Sequence, residues 1–429
     1  MRIHLKTLGC RLNEAELESW ARQFQAEGHT VVTDVGLADV IVLNSCAVTA
    51  DAVRKSRQTL SRLHRENPTA KLVVSGCYAT LQPEQVRQSL GVDLLVGNAD
   101  KDRLVEITRQ SLNLTTAPAF AAEPGESVLF RLGRQRAFVK VQDGCRYRCT
   151  FCIVTVARGE ERSRTIDDVV AEINALHRQG IPEVVLTGVH LGGYGSDLGL
   201  RLDELIRAVL AQTSMPRLRL GSLEPWHLPP VFFDLFNDPR LMPHLHLPLQ
   251  SGSDSVLRRM ARRCKTAEFA ALVAQARAKV PDIHISSDVI VGFPGESEEE
   301  WRQTLDFVQQ IGFGQLHLFS YSPRQGTKAA DLPDPVPETV KKARCRSLQA
   351  MAHGLKRQTL QSHLGRSHPI LWEGQREHLS NGKIRQYGYT PHYLRVAVDL
   401  PPDHADLCAT IRTGRLERLE GDDLLIGSL

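Results

Sequence analysis

No run of about eighteen apolar residues occurs in this chain, so nothing in it reads as a membrane-crossing helix. The N-terminus, M-R-I-H-L-K-T-L-G-C, lacks the charged start and apolar core of a secretory signal and reads as a strand. A cytoplasmic protein with no membrane partner is the expectation. Cysteine is sparse as well. Nine in 429 residues are too few for a disulfide scaffold, and in a reducing compartment clustered thiols more often bind metal or do chemistry. Neither sign of charge dominates: the net charge is +4, a total that argues neither for nor against a nucleic-acid partner. There is no internal repeat or low-complexity tract.

What is present is a globular composition, 42% hydrophobic and 24% charged, on a chain long enough for two or three domains. Three apolar runs, Ile3 to Leu8, Val40 to Leu43 and Leu72 to Val74, alternate with helical patterns at Glu14 to Glu27 and Val53 to Arg65. That rhythm predicts an N-terminal parallel-sheet α/β domain over 1–114, with the carboxyl ends of its strands along one edge. A stretch rich in Ala, Pro and polar residues predicts a linker over 115–130. Six strand-like runs between Ala137 and Phe319 again alternate with helices, which predicts a partial (β/α)6 barrel over 131–364. Short strands and turn signals such as Asn381-Gly382 predict a small β-barrel over 365–429. Two stretches are basic: Lys341 to Arg366 holds seven Lys or Arg and no acid, and Asp254 to Lys279 holds seven against two. They read either as phosphate-facing surfaces or as solvated helix faces.

The most specific signal is C-R-Y-R-C-T-F-C, which places Cys145, Cys149 and Cys152 directly after a strand. A C-x3-C-x2-C loop can wrap three irons of a cubane cluster, and without a fourth cysteine one iron keeps an open position. Structural zinc would need a fourth ligand, and the loop offers no further Cys or His. Cys10, Cys46 and Cys77 each closely follow one of the three N-terminal strands, so they can converge at one sheet edge as a second three-thiolate cluster. The competing reading is three buried structural thiols. Cys264, Cys345 and Cys408 show no such placement, and Cys264 reads as a surface thiol on a helix.

The cysteine loop, with Phe151 before the third thiol, resembles the radical S-adenosylmethionine superfamily. The whole chain resembles the methylthiotransferase family within it, through T-L-G-C-R-L-N, N-S-C-A-V-T, G-C-R-Y-R-C-T-F-C with A-R-G, L-T-G-V-H-L-G-G-Y-G, H-L-H-L-P-L-Q-S-G-S and D-V-I-V-G-F-P-G-E. N-S-C-A-V-T, S-L-E-P-W and H-L-H-L-P-L-Q-S-G-S are most similar to the branch acting on N6-threonylcarbamoyladenosine beside the tRNA anticodon, at position 37. The resemblance implies two 4Fe-4S clusters. Cys145, Cys149 and Cys152 would hold the one that cleaves S-adenosylmethionine, and Cys10, Cys46 and Cys77 the auxiliary one that handles sulfur. One adenosylmethionine would methylate that sulfur, and a second would furnish the radical that removes hydrogen from C2 of the adenine. It further implies a C-terminal RNA-binding domain of the TRAM type carrying Y-G-Y-T-P-H-Y-L-R-V, tRNA as partner, and an electron donor such as flavodoxin or ferredoxin.

Gly188, His190, Glu224, Gln250 and Gly292 are candidate contacts to S-adenosylmethionine at the barrel's functional end. His190 reads equally as a packing residue, and Gly292 as an ordinary strand-end turn. Related outcomes would be methylthiolation of isopentenyladenosine in tRNA or of a ribosomal-protein aspartate. Outside this class stand an iron-sulfur electron carrier, which normally closes each cluster with four cysteines, and an RNA-binding scaffold without catalysis.

Overall fold

Short runs of Val, Ile and Leu with no polar alternation suit strands buried on both faces, which is what parallel sheets flanked by helices require. The computed structural model describes residues 1–89, 91–114, 135–226, 228–421 and 424–429. The linker expected over 115–130 lies outside them. The three N-terminal runs form β1 (Arg2–Thr7), β3 (Val40–Ser45) and β4 (Lys71–Gly76), with β2 (Thr30–Val32) and β5 (Val92–Val96) added at the two edges. All five are parallel, in the order β2-β1-β3-β4-β5. Neither edge strand shows as an apolar run in the sequence, because one has three residues and the other is interrupted by Asp93. The order matters for function: β1, β3 and β4 are adjacent, so the loops that leave their carboxyl ends are neighbours.

Helix Arg11–Ala26 buries Leu17, Trp20 and Phe24 in one core cluster with Ile3 and Val40 of the N-terminal sheet and with Val139 and Val184 of the next domain. The Glu18 carboxylate accepts from the backbone N–H of Phe138 at 2.9 Å, fixing the helix to β6 (Arg136–Lys140). Strands Glu183–Thr187 and Arg217–Leu220 complete one three-stranded parallel sheet with β6. His244–His246, His284–Val291 and Gln315–Ser320 form a second. Isolated parallel bridges, Leu218 to Leu241 and Ser222 to His246, join the two halves into the six-stranded open barrel expected from the alternation.

Helix Glu338–Ser362 leads into a closed five-stranded barrel running from Ser367 to Ser428, with Asn381 and Gly382 turning its first strand into its second. This barrel docks on the amino-terminal ends of the second domain's strands through buried charge. Glu183 is paired with Arg136 (3.1 Å), Arg217 (2.9 Å) and Arg219 (3.3 Å). Arg217 and Arg219 donate onward to the carbonyls of Thr390 and Pro391, each at 3.0 Å. Arg136 and Arg219 lie over the Tyr393 ring, so much of Y-G-Y-T-P-H-Y-L-R-V is spent on docking. Burial pushes the Glu183 carboxyl up, but the three guanidiniums outweigh it and hold it at about 2.

The basic stretches are not uniform phosphate surfaces. Arg344 is buried against Glu296, Arg259 pairs with Glu300, and Arg277 donates to the carbonyls that end a helix at Ile311 and Gly312. Cys264 is not a surface thiol. It is buried in the loop between helices Asp254–Arg259 and Thr266–Lys279, and burial pushes its thiol up to about 12. None of the described helices is long and apolar enough to cross a membrane.

Candidate functional site

Each N-terminal cysteine stands just past the carboxyl end of a strand. Cys10 caps the helix after β1, Cys46 comes directly after β3, and Cys77 opens helix Cys77–Leu81 after β4. The turns require glycine. Gly9 has φ +107°, and a Cβ there would lie 2.8 Å from the Cys46 sulfur. Gly76 has φ +97°, and its Cβ would lie 2.2 Å from the Ser45 carbonyl oxygen. Burial raises the Cys46 thiol above its ordinary range, and Cys77 and Cys10 both add to the rise, so the three sulfurs share one electrostatic neighbourhood.

The second triad sits on the loop after β6. Gly144, at φ +73°, has no room for a side chain, since a Cβ would lie 1.9 Å from the Glu160 carbonyl oxygen. The loop is closed by backbone bonds from Cys145 to Gly159 (3.1 Å) and from Cys152 to Cys149 (3.0 Å). It is pinned to the barrel by Thr150, whose hydroxyl donates to the Arg259 carbonyl at 2.8 Å. Burial pushes the Cys145 thiol up to about 12, and Cys152 up to about 11, where Cys149 and Cys77 contribute. Helix Cys77–Leu81 packs against helix Val154–Arg158, which follows the cysteine loop, so the two triads approach each other across the domain boundary. A cavity of about 280 Å³ opens against Cys149 and Cys152 and is lined further by Thr155, Glu160 and Lys328.

Beneath this meeting point lies an ion cluster that sequence reasoning missed. Arg158, of the A-R-G motif, pairs with Glu16 and Asp143, each at 2.9 Å, and donates to the Asn13 side-chain oxygen at 2.7 Å. Lys101 pairs with Glu16, and all of Glu16, Lys101 and Arg158 are buried. Burial pushes the Glu16 carboxyl up, yet Lys101 and Arg158 overcome it and hold the group well below the usual carboxylate range. Asn13 also binds the carbonyls of Leu8 and Ser45, the residues before Gly9 and Cys46. Asn98 spans from the Cys77 sulfur (3.8 Å) to the Ala157 carbonyl (2.7 Å). Two buried cations whose fields reach Cys77 suit a set of ionised thiolates, which is the state that ligates iron. The residues present therefore fit a three-thiolate cluster on each side. Asn13 and Arg158 lie inside the motifs T-L-G-C-R-L-N and A-R-G, but Lys101 carries no sequence signal.

The candidate adenosylmethionine residues divide. His190 is buried beside the loop: its Nδ1 is 2.6 Å from Glu161, its backbone N–H donates to Gln142 at 2.9 Å, and its ring packs edge-on to Tyr147. Gly188 closes on Gln142, where a Cβ would lie 2.9 Å from the amide oxygen. Glu224 accepts from the backbone of Gly192 at 3.3 Å, and burial raises its carboxyl. One ligating atom each from Cys145, Glu161 and His190 lies within 4.8 Å of the others, so these groups adjoin the loop triad. Gln250 holds an unusual left-handed backbone, φ +79°, between Asp288 and Ile290. Gly292, φ +76°, is pressed against Lys341, whose Cγ would be 2.2 Å from an added Cβ. Arg262, also missed, reaches the Cys149 sulfur at 3.8 Å while lying over the Trp226 ring.

The chain is similar to known proteins over most of its length. Residues 2–97 match a family described as uncharacterized protein family UPF0004, and residues 139–308 match the radical SAM superfamily. A Thermotoga maritima protein named threonylcarbamoyladenosine tRNA methylthiotransferase MtaB is 34% identical over 400 residues, 92% of this chain and 90% of that one. The protein of the same name from Aquifex aeolicus is 36% identical over 82% of this chain and 88% of its own. A Mannheimia succiniciproducens protein named tRNA-2-methylthio-N(6)-dimethylallyladenosine synthase is 35% identical over 93% of this chain and 89% of its own. Among solved structures, the radical S-adenosylmethionine methyltransferase TsrM of Kitasatospora setae superposes with a TM-score of 0.56 over 77% of each chain at 17% identity, a likeness of fold alone.

Proposed function

Because the chain belongs to the radical S-adenosylmethionine methylthiotransferase family, we propose that it adds a methylthio group to C2 of N6-threonylcarbamoyladenosine at position 37 of tRNA. Its cofactors are S-adenosylmethionine and 4Fe-4S clusters. We assign Cys145, Cys149 and Cys152 to the cluster that cleaves adenosylmethionine, and Cys10, Cys46 and Cys77 to the auxiliary cluster. Three domains divide the work: 1–114 carries the auxiliary triad, 131–364 the radical chemistry, and 365–429 an RNA-binding module. A tRNA substrate is consistent with a cytoplasmic protein served by an electron donor such as flavodoxin or ferredoxin.

The observation that supports the reading is the approach of the two triads, bridged by Asn98, which donates to the Cys77 sulfur (3.8 Å) and to the carbonyl of Ala157 (2.7 Å) in the helix that follows the cysteine loop. Sulfur insertion needs the radical site and the sulfur site to share one substrate position, and an electron carrier has no such need. The clusters, when bound, would supply the electron that splits the sulfonium bond and would hold or supply the sulfur that is transferred. The protein's own groups set the stage. Arg158 and Lys101 offset thiolate charge, Arg262 fixes Cys149, and Glu161 fixes the tautomer and orientation of His190 beside Cys145. Tyr147, His190 and Trp226 form an aromatic wall that keeps water from the radical.

The test offers the anaerobically reconstituted enzyme three substrates: tRNA bearing N6-threonylcarbamoyladenosine, tRNA bearing the dimethylallyl (isopentenyl) base, and the ribosomal protein. A gain of about 46 daltons on the first is expected, the exchange of hydrogen for a methylthio group. Gain on the second alone would move the chain to the branch of the Mannheimia relative, and gain on the third alone would remove tRNA as substrate.

A further inference from the structure

Away from the cysteines, three histidines from three segments meet at the junction of the radical domain and the C-terminal barrel. His363 caps helix Glu338–Ser362, His368 is the second residue of strand Ser367–His378, and His392 lies in the turn between strands Ile384–Tyr389 and Arg395–Leu400. They are 4%, 8% and 7% exposed. Their ring centroids are 5.2 Å (363–368), 4.7 Å (363–392) and 5.0 Å (368–392) apart. One ring nitrogen from each lies within 4.8 Å of the other two.

Ordinary packing leaves this arrangement unexplained. Nδ1 of His363 stands 3.2 Å from Nε2 of His368, which one shared proton could satisfy, but Nδ1 of His392 is buried with no hydrogen-bond partner among the described residues. A buried unpaired group of that kind costs about 1–3 kcal/mol and calls for an occupant. Tetrahedral zinc with Zn–N of about 2.0–2.1 Å sets its nitrogens about 3.3 Å apart, close to the 3.2 Å found for the first pair. The donor set is informative too: three imidazoles suit zinc and its first-row neighbours and not magnesium or calcium.

We propose that His363, His368 and His392 bind one first-row divalent cation, zinc by its fit, which staples the C-terminal barrel to the radical domain. The fourth position falls to water. The staple reaches the barrel strands directly, because the His392 carbonyl accepts from Nδ1 of His284, the first residue of strand His284–Val291. The proposal is independent of the cluster assignment, since none of the six cluster cysteines takes part.

The full-length, iron-loaded protein would be equilibrated with zinc, dialysed, and assayed for both metals. One zinc per chain is expected, with zinc-edge X-ray absorption reporting nitrogen or oxygen neighbours at about 2.0–2.1 Å. His392→Phe, which keeps a ring in the same space, and His368→Gln should each lose the zinc while iron is unchanged. No retained zinc in the wild type, or zinc retained in both variants, overturns the proposal. So does sulfur at about 2.3 Å in the wild-type spectrum, a measurement that holds whether or not the variants fold.

Discussion

Cys145, Cys149 and Cys152 lie within eight consecutive residues, whereas Cys10, Cys46 and Cys77 are spread over sixty-eight. The loop triad is assembled by a short peptide closed on itself through the backbone bonds of Cys145 and Cys152. The strand-end triad exists only when β1, β3 and β4 lie side by side, and it is held there by Asn13 and Asn98 and by the ion cluster beneath. Equal chemistry thus rests on unequal foundations. A loop can keep its ligand geometry through loss of distant packing, but a site built at a sheet edge inherits the stability of the whole sheet.

The largest effect that would break this comparison is chemical. Replacing Cys149 by Ala should abolish 5′-deoxyadenosine formation, while Cys46→Ala should leave adenosylmethionine cleavage measurable and remove all methylthio product. Full product from the Cys46 variant would refute the division of labour. Next comes Glu16→Ala, which strips Lys101 and Arg158 of their shared carboxylate and should cost about 3–5 kcal/mol in urea unfolding. Iron bound by the strand-end triad should be lost before that of the loop; equal loss from both would erase the distinction between the two.

The docking charge gives a somewhat smaller and pH-dependent effect. Glu183 is held at about 2 when folded, against an ordinary value near 4.3 in an unfolded chain. Its contribution is present in full above the unfolded value and is lost as pH falls through the folded one, a span worth about 3 kcal/mol. Thermal melts of the iron-free chain between pH 6 and pH 3 should show somewhat more than half of that loss, and Glu183→Gln should flatten it. Smallest is a pair of glycines. Gly76→Ala drives a Cβ into the Ser45 carbonyl and should cost at least about 1–3 kcal/mol with strand-end iron lost, whereas Gly159→Ala, at φ +76° with nothing within 4 Å, should cost only about 1 kcal/mol. Equal melting points for the two variants would mean the Gly76 turn relaxes freely.

Much of this architecture is legible in the sequence. Apolar runs such as Val40 to Leu43 and Leu72 to Val74 announce the parallel sheet, since strands buried on two faces carry few polar residues, whereas Arg217–Leu220 and His244–His246 keep polar residues for the domain junction. The edge strands Thr30–Val32 and Val92–Val96 escape notice because half-exposed edges carry polar residues. Glu16, Lys101 and Arg158 look like residues of solvated helix faces, and Cys264 like a surface thiol among arginines, because charge in a sequence carries no mark of burial. Y-G-Y-T-P-H-Y-L-R-V reads as the signature of an RNA-binding module. Within it, Tyr389 and Tyr393 and the carbonyls of Thr390 and Pro391 also serve the domain junction, engaged by Arg136, Arg217 and Arg219.

The sequence by itself determined what is local: the loop triad and its open valence, the glycines that admit tight turns, the βα rhythm, and the placing of one cysteine after each of three strands. Only the tertiary structure decided which of those strands are adjacent, that the helix opened by Cys77 lies against the helix following Cys152, and that three histidines at 363, 368 and 392 share one buried space. The reason is physical. Ligand geometry within a short loop is a matter of bond lengths and turn conformations, whereas burial, charge compensation and convergence depend on which distant segments come to lie against one another.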